Sequence, residues 1–228
     1  MSDTLLLNGC ENQLACNTMN IDKLKPTTFL NIKKRELPHC SDLSKPFFAC
    51  IGCSHTAGYE IHYSDSWPYH LANLLNMGHI NLGYNGSDLS YQSEKIDMVF
   101  DILPQLEFVI WMQTYPIRNR KSLKLLGDAK RRIPVYTSWE NPKTLNFLLE
   151  NIEKYINNER LLILNTWGYP YQYLKILNGK FKNVNNFFVN NNIVTDYGFD
   201  RIHSGPETHK KMAQDLYNHI IKNKMFGK

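Results

Sequence analysis

Three residues of this sequence have the types and the spacing of a nucleophilic catalytic site. Ser54 directly follows a short apolar run, in Gly52-Cys53-Ser54-His55-Thr56-Ala57-Gly58, where Gly52 would let the backbone turn sharply. Asp200 and His203 stand far along the chain as Asp-x-x-His. A serine hydroxyl becomes a good nucleophile when an imidazole takes its proton, and a carboxylate fixes the tautomer of that imidazole. The pattern predicts Ser54 as nucleophile, His203 as base and Asp200 as the orienting acid, although each motif alone also fits a polar turn or a helix cap.

A second polar segment, Asn81-Leu82-Gly83-Tyr84-Asn85-Gly86-Ser87-Asp88, follows another apolar run. Gly86 could present its backbone N–H to an oxyanion, together with the N–H of Ser54. Asn85 is a candidate contact for the substrate. The Asn-Gly pair is also an ordinary turn signal, so this segment predicts a functional site only in combination with the Ser54 and Asp200–His203 motifs.

The elements that must position these residues follow an alternating pattern from Pro46 onward. Short apolar runs alternate with amphipathic stretches, which is typical of a parallel sheet with crossover helices. We therefore predict a three-layer α/β/α sandwich with a mainly parallel five-stranded sheet and helices on both faces. Ligands of such sheets bind at the carboxyl ends of the strands, which is where the polar segments fall. The predicted strands are 47–51, 79–82, 108–113, 161–165 and 184–189, and helices are predicted to open at Ser66-Trp67-Pro68, at Asn141-Pro142 and at Ser204-Gly205-Pro206-Glu207, the last with capping-box spacing.

Residues 1–46 differ from the rest of the chain. They contain three of the five cysteines and show no sustained period of 2 or 3.6 residues. We divide the chain into an N-terminal extension, 1–46, and a domain, 47–228. The extension is expected to contribute little to the sheet.

Composition places the chain among globular proteins. It has 228 residues, 43% of them hydrophobic, and 26 Lys+Arg against 21 Asp+Glu give a formal charge of +5. The apolar runs are far shorter than the roughly 20 residues that span a bilayer, and no secretory signal is recognisable. An odd number of cysteines without such a signal favours reduced thiols and a cytoplasmic location. The short basic runs Lys33-Lys34-Arg35 and Lys130-Arg131-Arg132 do not predict nucleic-acid binding.

A metal or nucleotide cofactor is not expected. The sequence contains no His-Glu-x-x-His, no phosphate loop and no dinucleotide fingerprint. Cys50 and Cys53 have the Cys-x-x-Cys spacing of a zinc or redox site, but only one such pair exists and Cys50 falls in a predicted buried strand.

Taken together, the motifs resemble the SGNH (GDSL-like) hydrolase family over about residues 47–222. Of its blocks, Gly-Asp-Ser is matched by Gly52-Cys53-Ser54 with Cys in place of Asp, Asn-x-Gly-x-x-Gly by Asn81, Gly83 and Gly86, and Asp-x-x-His by Asp200 and His203. The form Gly-Cys-Ser-His-Thr looks like the variant of virus- and phage-encoded members. The resemblance implies a flavodoxin-like SGNH fold and a Ser-His-Asp triad that works through an acyl-enzyme.

One block of that family is replaced. Where members carry Gly-x-Asn-Asp, whose Asn helps to hold the oxyanion, this chain has Gln113-Thr114-Tyr115-Pro116. Gln113 or Thr114 is then the candidate third donor, and strand parity allows only one of them; we favour Thr114, because the strand is expected to end near it. Asn85 is a further candidate. Arg118 could bind an anionic part of a substrate, although arginines on loops are commonly only exposed.

The resemblance implies a serine hydrolase acting on carboxylic esters, such as O-acetyl or short acyl esters of a small molecule or a carbohydrate. The same acyl-enzyme could instead serve an acyltransferase. The replaced block keeps a third alternative open, a non-catalytic binding or structural protein with this fold.

Overall fold

The computed structural model describes residues 39–87, 89–113, 142–165, 175–176, 179–181, 187–189, 194–199, 201 and 203–228. Within these residues the strands are β1 (His39–Cys40), β2 (Phe47–Ile51), β3 (Gly78–Asn81), β4 (Phe108–Met112), β5 (Leu161–Asn165) and β6 (Phe187–Val189). The α-helices are α1 (Ser54–Ala57), α2 (Trp67–Leu75), α3 (Leu89–Ile102), α4 (Pro142–Tyr155) and α5 (Pro206–Lys222). Short 3₁₀ helices cover Tyr63–Asp65 and Met225–Gly227.

The strands form one sheet in the order β1-β3-β2-β4-β5-β6. The body of the sheet is four parallel strands of four or five residues, β3, β2, β4 and β5, and the three-residue β6 extends it in the same direction. Only β1 runs antiparallel, beside β3. Because β2 lies between β3 and β4, the segments that leave these three strands meet at one edge of the sheet.

Helices cover both faces of the sheet. On one face α3 and α4 pack over alternate strand residues, among them Ile51, Trp111 and Ile163. On the other face α2 and α5 pack over Phe48, Ile110 and Leu164. The residues of β2, β4 and β5 are buried whichever way they point, which is why these three strands are nearly continuous apolar runs in the sequence. The predicted three-layer α/β/α arrangement is confirmed, but the sheet has four parallel strands of four or five residues where five strands are predicted, because β6 has, among the described residues, only three residues of the predicted strand 184–189.

The end of the predicted N-terminal extension takes part in the sheet. His39 and Cys40 pair with Asn81 and Ile80 of β3, and Leu43 joins the core on the α3–α4 face. A two-residue strand is too short to show a period, so the pattern gave no sign of it. Cys40 is also disulfide-bonded, to a partner outside the described residues, whereas Cys50 and Cys53 are free thiols. The expectation of wholly reduced thiols is therefore wrong, since an odd cysteine count does not exclude one pair.

Two helix starts agree with the sequence and one differs in its cap. Ser66 precedes α2, which has a proline in its first turn, and α4 begins at Pro142. Helix α5 begins at Pro206 as expected, but its N-cap is Gly205 and Ser204 does not cap it. Asp196 takes that role, because its carboxylate accepts the backbone N–H groups of Glu207 at 2.9 Å and Thr208 at 2.7 Å.

Among the described residues, no helix has the length and apolar character needed to cross a membrane.

Candidate active site

Ser54 lies at the carboxyl edge of the sheet, at the start of α1. The backbone leaves β2 through Gly52 and Cys53 and enters this single helical turn, which ends at Gly58 in the left-handed conformation, with φ 70°. The Ser54 side chain is only 1% exposed. The nucleophile candidate is therefore held in a rigid turn below the surface.

Two glycines of the predicted motifs are needed because α1 packs against their backbone. A Cβ at Gly52 would stand 2.1 Å from Thr56 Oγ1, and one at Gly83 would stand 2.4 Å from the backbone nitrogen of Ala57. At Gly52 the requirement is this close contact and not a left-handed turn. Asn81 links the same parts, since its Nδ2 donates to Thr56 O at 2.7 Å and its Oδ1 accepts the N–H of Gly83 at 2.9 Å. Within the Asn-x-Gly-x-x-Gly motif, Asn81 and Gly83 therefore have the structural role of positioning α1.

The loop after β3 is fastened beside Ser54 through the carbonyl of Gly52. That oxygen accepts the backbone N–H of Tyr84 at 3.0 Å and the hydroxyl of Ser87 at 2.9 Å. Asn85 and Gly86 lie between these two anchors, Asn85 half-buried and Gly86 exposed with open space around it. The loop therefore brings both residues to the edge that carries Ser54, while their contact with an oxyanion or a substrate stays a prediction.

His203 is presented by a short hairpin that precedes α5. Tyr197 pairs with Ser204 across this hairpin, and the N–H of Gly198 donates to His203 O at 2.9 Å. His203 Nε2 lies 3.0 Å from Ser54 Oγ. The structure thus brings together the two candidates that are farthest apart in sequence, whereas Asp200 lies outside the described residues.

Aromatic rings flank the His203 imidazole. The centroid of the Tyr59 ring lies 5.0 Å away, edge-on, and that of His55 lies 5.3 Å away at an angle of 51°. The hairpin is also tied to the turn after α1, because the N–H of Phe199 donates to Glu60 O at 3.2 Å. These contacts restrict where the imidazole can move.

A second group of polar residues lies below His203, and sequence analysis did not find it. His55 Nδ1 is 3.0 Å from Ser204 Oγ, which is 2.9 Å from His209 Nε2. Burial, together with the nearby His55, lowers the pKa of His209 to about 3. The first motif contains His55 but predicts no role for it, and the capping-box spacing predicts Ser204 as a helix cap. The spacing of Ser204 and His209 matches no known motif.

Of the residues suggested for the third oxyanion donor, the structure describes Gln113 and Asn85, and Asn85 lies in the loop after β3 described above. Gln113 follows β4. The backbone N–H of Gln113 donates to Leu164 O at 3.0 Å, so the hydrogen bonds between β4 and β5 continue through Gln113. By strand alternation its side chain lies on the same face of the sheet as Trp111, the face that α3 and α4 cover. The side chain is 2% exposed, and neither its amide nor that of the fully buried Asn165 has a hydrogen-bond partner among the described residues. Thr114 and Arg118 lie outside those residues.

The Cys50–Cys53 pair does not look like a metal site. Cys50 is buried within β2, and this burial raises the pKa of its thiol well above the ordinary value, whereas metal binding needs the thiolate. Within the part of the chain that the structure covers, no cluster of three metal-ligating side chains occurs.

Comparison with known proteins gives matches among solved structures only. No protein-family model matches the sequence, and no curated protein matches it. A protein assigned to the lipolytic G-D-S-L family, from Desulfitobacterium hafniense DCB-2, is similar with a TM-score of 0.51 and 15% identity over 76% of this chain and 98% of that chain. This chain has the fold of the G-D-S-L proteins.

The same fold also occurs in a second solved structure, whose study concerns a carbohydrate esterase active site with divergent catalytic and non-catalytic binding functions. Its TM-score is 0.53 at 10% identity, over 79% of this chain and 66% of that chain. The SGNH-type fold implied by the sequence motifs is therefore established at the level of architecture.

Proposed function

We propose that this protein is a serine hydrolase that cleaves carboxylic esters. The observation that carries the proposal is the 3.0 Å separation of Ser54 Oγ and His203 Nε2, within the range of about 2.6–3.2 Å for a working nucleophile and base. The pair lies at the carboxyl edge of a parallel sheet, where this class of fold places its ligands. The fold shared with G-D-S-L proteins adds support.

In the proposed reaction Ser54 Oγ attacks the carbonyl carbon while its proton passes to His203 Nε2. The tetrahedral intermediate then expels the alcohol, which takes that proton from His203, and the acyl group stays on Ser54. Water attacks the acyl-enzyme with His203 again as base, and a carboxylic acid leaves. Asp200 is proposed to orient His203.

The oxyanion of the intermediate needs hydrogen-bond donors. We assign the backbone N–H groups of Ser54 and Gly86 to it, with Thr114 or Gln113 as the third donor. Gly86 suits this role because the loop that carries it is anchored to Gly52, two residues before Ser54.

For the substrate we propose an O-acetyl or short acyl ester of a carbohydrate or another small molecule. The half-buried Asn85 and, for an anionic group, Arg118 are its proposed contacts. The carbohydrate esterase with the same fold is consistent with this class. An acyltransferase would use the same acyl-enzyme with a sugar hydroxyl in place of water.

A fluorophosphonate probe tests the proposal without knowledge of the substrate, because it labels an activated serine. We expect labelling of the wild type and none of Ser54→Ala. Ser64→Ala is a matched control and should keep the labelling, since Ser64 Oγ also lies close to an imidazole, at 2.7 Å from Nδ1 of the exposed His62, but outside the candidate site. Labelled protein should also hydrolyse some members of a panel of p-nitrophenyl esters and acetylated sugars.

The rival function is a non-catalytic binding or structural protein, which is favoured by the absence of the family's third-block Asn from the stretch Gln113-Thr114-Tyr115-Pro116. It predicts no labelling, and equal, negligible turnover by the wild type and Ser54→Ala. Binding of an acetylated sugar without its hydrolysis would then be the activity to measure.

A further inference from the structure

His209, Ser204 and His55 form a chain of hydrogen bonds, and the direction of these bonds follows from one partner that can only donate. The backbone N–H of Trp67 donates to His209 Nδ1 at 3.1 Å. A backbone N–H can only donate, so Nδ1 carries no proton. His209 is neutral, because its burial disfavours the charged form. Its single ring proton therefore lies on Nε2.

The next bond follows from this tautomer. His209 Nε2–H donates to Ser204 Oγ, which lies 2.9 Å away. Ser204 is itself buried, so its hydroxyl proton needs an acceptor nearby. His55 Nδ1, at 3.0 Å, is in place to accept it. Because Ser204 Oγ–H donates to His55 Nδ1, that nitrogen carries no proton. The ring proton of the neutral His55 therefore lies on Nε2.

His55 adjoins the nucleophile in sequence and packs against the base in space. Its ring centroid is 5.3 Å from that of His203, and Tyr59 contacts the His203 ring at 5.0 Å. A neutral His55 adds no positive charge beside His203 when that residue takes the proton of Ser54. A ring of fixed plane also limits the tilt of His203 away from Ser54.

We propose that His55 is a positioning residue for His203, and that the buried chain from Trp67 through His209 and Ser204 fixes His55 as the neutral Nε2–H tautomer. This role rests on the proposed hydrolase function, whereas the tautomer does not. The hydrogen-bond chain explains why a buried serine and a buried histidine lie directly beneath the candidate base. It also explains why Ser204 does not cap α5.

Nitrogen-15 NMR of the histidine rings in the wild type tests the proton positions directly, since protonated and unprotonated ring nitrogens resonate far apart. We expect unprotonated Nδ1 and protonated Nε2 for both His55 and His209 at neutral pH. A protonated Nδ1 on either residue would overturn the proposal. This measurement needs neither activity nor a variant.

Ser204→Ala tests the positioning role, with activity measured on the best ester of the panel. Removing the hydroxyl should abolish the tautomer preference of His55 and lower kcat by about 10-fold with KM nearly unchanged, because only the alignment of His203 is lost. Ser204→Thr, which keeps a hydroxyl, should restore both. Ser64→Ala removes the comparable serine–histidine bond to His62 at the surface and should change neither.

Failure of this proposal and failure of the hydrolase function can be told apart. An unchanged kcat in Ser204→Ala, with Ser54 still labelled by fluorophosphonate, refutes positioning by His55 and leaves the hydrolase standing. Absence of labelling in the wild type refutes the hydrolase function and, with it, the positioning role.

Discussion

His209 shows how a single buried residue links the site to the stability of the whole fold. Its side chain is 1% exposed, and burial, with His55 nearby, lowers its pKa to about 3. In an unfolded chain a histidine has a pKa near 6.5. As the pH falls below about 6.5, the unfolded chain takes up a proton that the folded chain refuses, so acid favours unfolding.

The stabilisation from a neutral His209 should be complete above about pH 6.5 and should be lost progressively toward pH 3. We expect the free energy of unfolding to fall by up to about 1.4 kcal/mol per pH unit from this residue. Urea unfolding at pH 5, 6 and 7 measures the slope, which should be smaller in His209→Gln. Equal slopes in His209→Gln and the wild type would contradict the assignment.

The residue proposed in place of the family's oxyanion-binding Asn gives a second prediction about a single side chain. If Thr114 is the third donor, Thr114→Ala should lower kcat roughly 100-fold with little change in KM, because the donor acts mainly in the transition state. Gln113→Ala should then have a small effect. The reverse result would assign the role to Gln113, and small losses from both would show that neither residue is the third donor.

At the scale of elements, the hairpin that carries His203 and helix α5 are fastened together by Asp196. Its carboxylate accepts the two N–H groups at the start of α5, and its backbone O accepts the N–H of Gly205 at 3.0 Å. Burial acts to raise the pKa of Asp196, but the hydrogen bonds from Thr208 and Glu207 outweigh it, and the pKa is lower than usual. Ionised Asp196 therefore stabilises the folded protein above about pH 4, and this stabilisation is lost as the pH falls through the lowered pKa of its carboxyl group.

Asp196→Ala should destabilise the protein by about 1–2 kcal/mol, the usual effect of losing a helix cap. Urea unfolding at pH 7 measures the change, and at pH 2 the difference from the wild type should shrink. Asp101→Ala, which removes an exposed acid of α3, is the matched control. A loss in Asp196→Ala no larger than in the control would mean that the carboxylate does not stabilise α5.

The edge strand β1 leads to a prediction about where the domain begins. Cys40 and Leu43 are buried in the core, and the N–H of Ser41 donates to His79 O at 3.0 Å. A chain that starts at His39 should keep its stability under reducing conditions. One that starts at Pro46 should lose about 2 kcal/mol or more, since burial of one leucine contributes about that much. Equal urea midpoints for the two chains would show that residues 39–45 do not stabilise the domain, which agrees with the predicted division into 1–46 and 47–228.

At the scale of the whole molecule, the layer order was predictable because its signal is local. Strands buried on both faces appear as short apolar runs, and the amphipathic segments between them can only be crossover helices. The same logic put Ser54 at the end of β2 and His203 just before α5. Their approach to within 3.0 Å of each other was expected from these positions.

What the sequence did not reveal depends on contacts between distant segments. Asp196 caps a helix that begins ten residues later, so no local capping motif includes it. Ser204 has the spacing of a cap, yet it bonds to two histidines from different helices. The amides of Gln113 and Asn165, which have no hydrogen-bond partner among the described residues, lie at the carboxyl ends of β4 and β5, and these strands are neighbours only in the folded sheet.

The separation of Ser54 from His203 along the chain has a consequence for folding kinetics. The pair is 149 positions apart, and the bond between Trp67 and His209 spans 142. To form contacts between residues so far apart in sequence, the chain must first lose the conformational entropy of closing a long loop. This loss comes before the contacts give any stabilisation, so it slows folding. While the chain is being synthesised, β2 and α2 emerge long before α5. The part of the sheet face that α5 covers therefore stays exposed until α5 has been made. The Ser54–His203 pair can form only after the segment before α5 has been made, so a partly made chain would expose this apolar surface before that pair exists.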